Sequence, residues 1–395
     1  MFSVMPFGFL FIFVFMMGSV VSLSSLHWLG IWLGLEVNLM GFIPILVYRG
    51  ITQETESGVK YFIVQALGSG LIMAGSLSCY NLLLSWEVPL GGGFSLGLLV
   101  LLSGLMVKLG SFPFHFWLPS VMAGISWFGC LILTTWQKVA PIFLLGVLVE
   151  GLRVEVSLDV WIVVIAGLSS LVGGVGGMNQ TQVRALLAYS SIGHVGWMVM
   201  ASVISRNVLM VYFLVYFVIS ICLFLVLWWF EESNYGQTSA YSGKWGKVVQ
   251  VSTMFMLLSL GGMPPLLGFV GKWLVIYSCS STEYPFSIVF LLLGSLISLF
   301  YYLSLMFSIL LFSGSSLSSM KGNVEFMDLM KKDGPSINSS LDEGFLSPVK
   351  ESIFLGRLNF FGFNKSGVSL VYTIFVLNLL GGIFIFYSLP LMEFI

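Results

Sequence analysis

The chain has 395 residues, of which 58% are hydrophobic and only 8% are charged, and its mean hydropathy is +1.02. Soluble domains usually carry about 25% charged residues, so a water-facing globule is excluded and a lipid bilayer fits this composition. The net charge of −1 argues against nucleic-acid binding, and the four isolated cysteines argue against a disulfide framework, a redox dithiol or a metal site.

Long apolar runs recur along the whole chain. A helix that crosses the hydrocarbon core needs about 20 apolar residues. The runs are continuous rather than alternating, which disfavours a transmembrane barrel. The first run has no basic residue, so we expect a retained span rather than a signal or transit peptide. The rule predicts eleven transmembrane helices, at 3–22, 26–48, 58–80, 93–112, 122–149, 158–177, 183–203, 207–230, 248–275, 286–312 and 368–391.

Proline ends one of these runs and interrupts another. The fourth is followed by Pro113, the ninth contains Pro264 and Pro265, and each has Leu-Gly and two further residues before its first proline. Proline removes a backbone donor and breaks a helix. Broken helices at matching positions of two halves are typical of transporters with inverted repeats.

The predicted fold is therefore an all-α polytopic membrane protein. Its first five helices (1–149) and next five (150–312) form two inverted repeats with broken helices. A polar segment (313–367), rich in serine, glycine and charge, is predicted to be a partly disordered loop. One C-terminal transmembrane helix (368–395) follows.

The basic residues in the predicted loops are distributed unevenly. Eleven lie on the side shared with the N-terminus, and two, Arg153 and Arg206, lie on the other. Because lysine and arginine accumulate on the negative side of a membrane, the N-terminus is expected in the matrix or cytoplasm. An odd number of helices then places the C-terminus on the opposite side.

Four charged residues lie inside predicted spans: Glu36, Lys108, Lys138 and Lys272. Glu36 and Lys138 are about ten residues from a helix end, which is about 15 Å deep. Each such charge costs at least about 2.5–3.5 kcal/mol and must face protein, a partner or water, so these residues are functional candidates. A structural ion pair could explain one of them, but a set of four favours proton transfer.

His194 lies in the seventh run, within YSSIGHVGW. An imidazole suits a proton relay near neutral pH. A hydrogen bond to a helix neighbour would explain it equally well, and the sequence leaves both interpretations open. The glycine-rich stretch GGVGGMNQ matches no nucleotide-binding pattern, so no cofactor site is expected there.

Six stretches, taken together, resemble the antiporter-like membrane subunits of respiratory complex I in their animal mitochondrial form. They are WLGIWLGLEVNLMGFIPIL, VKYFIVQALGS, VKLGSFPFHFWLP, TTWQKVAPIFLL, GGMNQTQVRALLAYSSIGHVGW and LSLGGMPPLLGFVGKW, and they span about residues 26–275 in the family's order. The segment 313–367 is longer than is usual in that family.

The resemblance implies a role for each buried charge. Glu36 and Lys108 would form a pair whose association is modulated, Lys138 would link them to Lys272, and His194 would lie on that route. This chain would hold no cofactor and no catalytic residue of its own, because NADH, flavin, iron–sulfur clusters and ubiquinone would bind elsewhere in the complex.

The expected setting is the mitochondrial inner membrane, with the N-terminus in the matrix and the C-terminus in the intermembrane space. The expected partners are other membrane subunits of complex I, lipids and protons, and the expected function is that of a subunit of a proton-translocating NADH:ubiquinone reductase. Two alternatives remain, a stand-alone cation/proton antiporter and a structural membrane spacer.

Overall fold

The regular structure of the described residues is helical. The computed structural model describes residues 8–83, 96–151, 156–230, 244–264, 266–282 and 284–308, together with 375–376, 378–379 and 381–382. Its helices are α1 (Gly8–Ser24), α2 (Trp28–Val47), α3 (Thr52–Leu83), α4 (Leu96–Leu109), α5 (Trp117–Gly124), α6 (Trp127–Thr134), α7 (Val139–Gly151), α8 (Val156–Gly177), α9 (Val183–Ile204), α10 (Arg206–Phe230), α11 (Lys244–Gly261), α12 (Leu267–Ser280) and α13 (Ser287–Ser308).

Seven helical segments of the described chain are long and apolar enough to cross a membrane. Their outward side chains are apolar as well: Trp161 is 63% exposed and Leu296 is 62% exposed, a surface that suits lipid. The prediction of an all-α polytopic membrane protein is confirmed. The number eleven and the boundaries of the two repeats stay predictions. The polar segment 313–367 and most of the last run, 368–391, lie outside the described residues.

Neighbouring helices approach closely where small residues face each other. The most extensive packing joins α1 to α2, α3 to α4 and α8 to α9. At Gly75 of α3, an added Cβ atom would lie 2.6 Å from the backbone nitrogen of Leu101 in α4. Small residues allow helices in a membrane to associate through close backbone contact, which explains the frequent glycines of these spans.

Two helix breaks share one capping motif. At the end of α4, Gly110 has φ +70°, its N–H donates to the carbonyl of Val107 at 3.2 Å, and the N–H of Ser111 donates to Met106 at 3.2 Å. The same two bonds recur at the end of α11, where Gly262 has φ +79°. The N–H of Gly262 donates to the carbonyl of Ser259 at 3.0 Å, and the N–H of Met263 donates to the carbonyl of Leu258 at 3.2 Å. This is the Schellman motif, which needs a residue in the left-handed region.

The glycine, and not the proline, therefore ends each of these helices. Pro113 lies four residues beyond the end of α4, in the turn that leads to α5. Pro264 lies in the turn between α11 and α12, and Pro265 lies outside the described residues.

A third break was not predicted. The run at 122–149 was expected to be one helix, but α5 ends at Gly124, Ser126 caps α6, and a 3₁₀ turn (Trp136–Lys138) separates α6 from α7. The physical reason for the 3₁₀ turn is Pro141, which cannot donate a hydrogen bond to the carbonyl of Gln137, four residues earlier, and clashes with it.

Candidate functional site

The three buried lysines all lie at helix breaks. Lys108 occupies the last turn of α4, Lys138 ends the 3₁₀ turn, and Lys272 of α12 reaches back to the end of α11. Lys138 is 2% exposed, and the other two are 7% exposed. Carbonyl groups that lose their helical partners carry partial negative charge, which stabilises a cation at a helix C-terminus. At the break after α11, the carbonyl of Gly261 accepts from Nζ of Lys272 and thus offsets part of the cost of burying that ammonium group.

Glu36 and Lys108 form the first part of the site. Glu36 lies near the middle of α2 and is partly buried, and it interacts electrostatically with Lys108. The two ion pairs formed between described residues lie elsewhere, at Lys60–Glu56 (2.6 Å) and Arg206–Glu150 (2.7 Å). Glu36 and Lys108 are therefore neighbours whose charges interact without a direct ion pair.

Lys138 is held by α9 and α10. Its Nζ donates to the carbonyl oxygen of Ser191 at 3.1 Å and lies 5.3 Å from the ring centre of Tyr216. Charge-assisted hydrogen bonds and cation–π contacts are the interactions that stabilise an ammonium group away from water.

His194 lies between the second and third lysines. It interacts electrostatically with both Lys138 and Lys272. Its Nδ1 is hydrogen-bonded to the hydroxyl of Tyr212 at 2.9 Å, and its ring lies 5.0 Å from that of Tyr216. The hydrogen bond to α10 and the position between two cations are both present, so the geometry fits a structural role and a relay role together.

Lys272 borders a small cavity. Its Nζ donates to the carbonyl of Gly261 at 2.8 Å and lies 5.9 Å from the ring of Trp197. The cavity measures about 10 Å³, close to the smallest space that holds one water molecule. It is lined by Ser170, Ser190, Gly193, His194, Trp197, Lys272, Gly294, Ser295, Ser298 and Tyr302. A water here would lie beside both Lys272 and His194.

Chemically, the arrangement consists of side chains that can bind and release protons: one carboxylate, three amines and one imidazole. Burial disfavours the charged form of a lysine, whereas a carboxylate or a free carbonyl favours it. Electrostatic interactions join Glu36 to Lys108, and His194 to Lys138 and Lys272, so the charge on one member of each group acts on the others. No cluster of metal-ligating side chains is present among the described residues.

Several side chains of this site were not predicted from the sequence. Tyr212 and Tyr216 are four residues apart on α10 and both face His194. Asn38 and Gln137 form a hydrogen bond between α2 and the 3₁₀ turn. Each of these residues places a polar group inside an apolar run. A search for charged residues alone does not find them, because their side chains are neutral.

A family profile described as "NADH:quinone oxidoreductase/Mrp antiporter, TM" matches residues 25–298. Among curated relatives, NADH-ubiquinone oxidoreductase chain 2 of Lumbricus terrestris is 39% identical over 298 residues, 74% of this chain and 83% of the relative. The protein of the same name from Locusta migratoria is 35% identical over 319 residues, 80% and 89% of the two chains.

Two solved structures share the fold. A chain of respiratory complex I from Thermus thermophilus with bound aureothin aligns with a TM-score of 0.73 and 24% identity, covering 97% of this chain and 79% of that one. A chain of the Mrp complex from Dietzia aligns with a TM-score of 0.71 and 16% identity, covering 94% and 74%.

Proposed function

Because the chain belongs to the NADH:quinone oxidoreductase/Mrp antiporter membrane family and is related over most of its length to NADH-ubiquinone oxidoreductase chain 2, we propose that it is a core membrane subunit of respiratory complex I that carries protons. The proposed carriers are Glu36, Lys108, Lys138, His194 and Lys272. NADH, flavin, iron–sulfur clusters and ubiquinone would be bound by other subunits of the complex.

The observation that carries this proposal is the placement of three buried lysines at three separate helix breaks. A structural ion pair would need one lysine beside one acid, and it would not need two further helix interruptions. Intramembrane charges are costly, and irregular backbone at membrane depth is tolerated only against protein or water. Both costs recur at Lys108, Lys138 and Lys272.

The proposed mechanism is electrostatic. A charge change in a neighbouring subunit, driven by electron transfer, alters the interaction between Glu36 and Lys108. Lys138 then gains or loses a proton as the field from that pair changes. His194 passes the charge to Lys272, because its ring and the Lys138 ammonium both lie against the ring of Tyr216 and it lines the same cavity as Lys272.

The proposed setting is the mitochondrial inner membrane, since the related chains named above are animal complex I subunits. The N-terminus would face the matrix and the C-terminus the intermembrane space. Other membrane subunits of the complex and surrounding lipids would be the partners, and protons would be the transported species.

The test uses Glu36→Gln and Lys138→Met in the assembled complex, with assembly checked by blue-native electrophoresis. Both variants should lower NADH-driven proton translocation by at least about tenfold, since positioned proton-transfer groups typically contribute about 100-fold or more. Lys60→Met is the matched control, because the Lys60 side chain is 48% exposed. Wild-type translocation in both assembled variants would refute the proposal. Migration of the wild-type chain near its own 43.6 kDa would favour a stand-alone antiporter instead.

A further inference from the structure

The 3₁₀ turn Trp136–Lys138 is held by three consecutive side chains that each reach a different helix. Trp136 donates its indole N–H to the hydroxyl of Ser19 in α1 at 3.0 Å. Lys138 donates to the carbonyl of Ser191 in α9 at 3.1 Å. The middle residue of the turn reaches α2. The turn therefore sits at a junction of three helices, and its position depends on all of them.

The contact with α2 is an amide pair. Gln137 donates from Nε2 to Oδ1 of Asn38 at 3.1 Å, and Asn38 is 2% exposed. Asn38 lies two residues after Glu36 on the same helix, and residues at this spacing point to different faces. One face of α2 thus carries the acid that interacts with Lys108, and another face carries the amide that binds the residue next to Lys138.

The turn is the most deformable part of this connection. A 3₁₀ segment in the middle of a helix often marks a functional hinge. Glu36 and Asn38 lie two residues apart in the same helix, α2, so a rotation or shift of that turn that alters the interaction of Glu36 with Lys108 must also displace Asn38. Gln137 directly precedes Lys138. A displacement of Asn38 that is transmitted through the hydrogen bond to the Gln137 side chain therefore also moves the backbone of Lys138.

We propose that the Asn38–Gln137 hydrogen bond mechanically couples Glu36 on α2 to Lys138 in the 3₁₀ turn, so that the two halves of the proton route move together. Neither amide carries a proton in this scheme, and both are positioning residues. This inference rests on the proposed function and adds to it a link between its two halves, Glu36 with Lys108 and Lys138 with His194 and Lys272.

The experiment removes the bond from either side. Asn38→Leu removes the acceptor and Gln137→Met removes the donor at similar side-chain length. The exchange of the two amides, Asn38→Gln with Gln137→Asn, restores a bond of the same total length. Ser19→Ala is the matched control, since it removes the contact of the same turn with α1, a helix that carries no ionisable residue.

Two quantities are measured on the assembled complex in vesicles: the rate of NADH-driven proton translocation and its solvent deuterium isotope effect. Each single variant should lower the rate by about 2- to 10-fold, the range that corresponds to one neutral hydrogen bond. The isotope effect should rise, because proton transfer becomes rate-limiting. The double variant Asn38→Leu with Gln137→Met should be no slower than either single variant, and the amide exchange should recover at least half of the wild-type rate.

The outcomes separate this inference from the proposed function. Wild-type rates in both single variants, beside a defective Lys138→Met, would overturn the coupling alone. An equal rise of the isotope effect in Ser19→Ala would also overturn it, because the bond would then only stabilise the turn. If Asn38→Leu does not assemble, Asn38→Ser, which is too short to reach Gln137, must give the same defect. Normal translocation in Glu36→Gln and Lys138→Met refutes the proposed function itself.

Discussion

The substitution Gly262→Ala tests whether the contact of Lys272 with the end of α11 matters. Gly262 has φ +79°, where an alanine costs about 1–2 kcal/mol of backbone strain. An added Cβ atom would also lie 2.8 Å from Cδ and 2.9 Å from Nζ of Lys272, whereas carbon atoms prefer separations of about 3.5–4.0 Å. The flexible lysine must therefore move by about 1 Å.

That displacement removes the hydrogen bond of 2.8 Å from Nζ to the carbonyl of Gly261. A hydrogen bond to a charged group contributes about 1.5–3 kcal/mol, which corresponds to a change of about tenfold or more in how readily Lys272 holds its proton. We therefore expect NADH-driven proton translocation by the assembled complex to fall by about tenfold, because Lys272 has lost this hydrogen bond.

Gly50→Ala is the matched control for this substitution. Gly50 has φ +65°, so its replacement carries a similar strain, but an added Cβ atom there has no neighbour within 4 Å. Both variants should lose thermal stability through backbone strain, Gly262→Ala the more because it also loses the Lys272 hydrogen bond, and only Gly262→Ala should lose translocation. If the two assembled variants translocate protons equally, the argument that Lys272 depends on this contact is refuted.

Two further predictions concern the hydrogen-bond network and the helix packing. Tyr212→Phe removes the hydroxyl 2.9 Å from Nδ1 of His194 and should slow translocation by about 2- to 10-fold, measured in vesicles; an unchanged rate would exclude His194 orientation from the mechanism. Gly75→Ala places a Cβ atom 2.6 Å from the backbone of α4 and should destabilise the complex by about 1–3 kcal/mol in thermal unfolding. Gly70→Ala on the same helix should leave the stability unchanged, because an added Cβ atom there has no neighbour within 4 Å. Equal stability of the Gly75→Ala and Gly70→Ala complexes would show that the close contact at Gly75 does not stabilise the fold.

The class of fold and the buried charges could be predicted from the sequence because each has a local cause. Apolar runs of about 20 residues report membrane spans, and a charge inside a run is visible without any tertiary contact. The same reasoning located the breaks near Pro113 and Pro264. It assigned them to proline, whereas the helices end immediately before Gly110 and Gly262, whose left-handed conformations complete the caps.

What the sequence could not supply is the pairing between distant residues. The bond between Asn38 and Gln137 joins positions 99 apart, and each amide alone looks like an isolated polar residue in an apolar run. The direction in which the Lys272 side chain points could not be predicted from the sequence either. It lies after its helix break, whereas Lys108 lies before the corresponding one, and only the fold brings its ammonium back to the end of α11.

The central claim is that the charges buried at membrane depth exchange protons during turnover. Its most direct test is the rate of NADH-driven proton translocation by the assembled complex in which all four charges are neutralised, as Glu36→Gln, Lys108→Met, Lys138→Met and Lys272→Met. The account predicts a rate at least about tenfold below that of the wild type, because the proton-transfer groups are gone. A rate equal to that of the wild type would contradict it and would favour a structural membrane spacer.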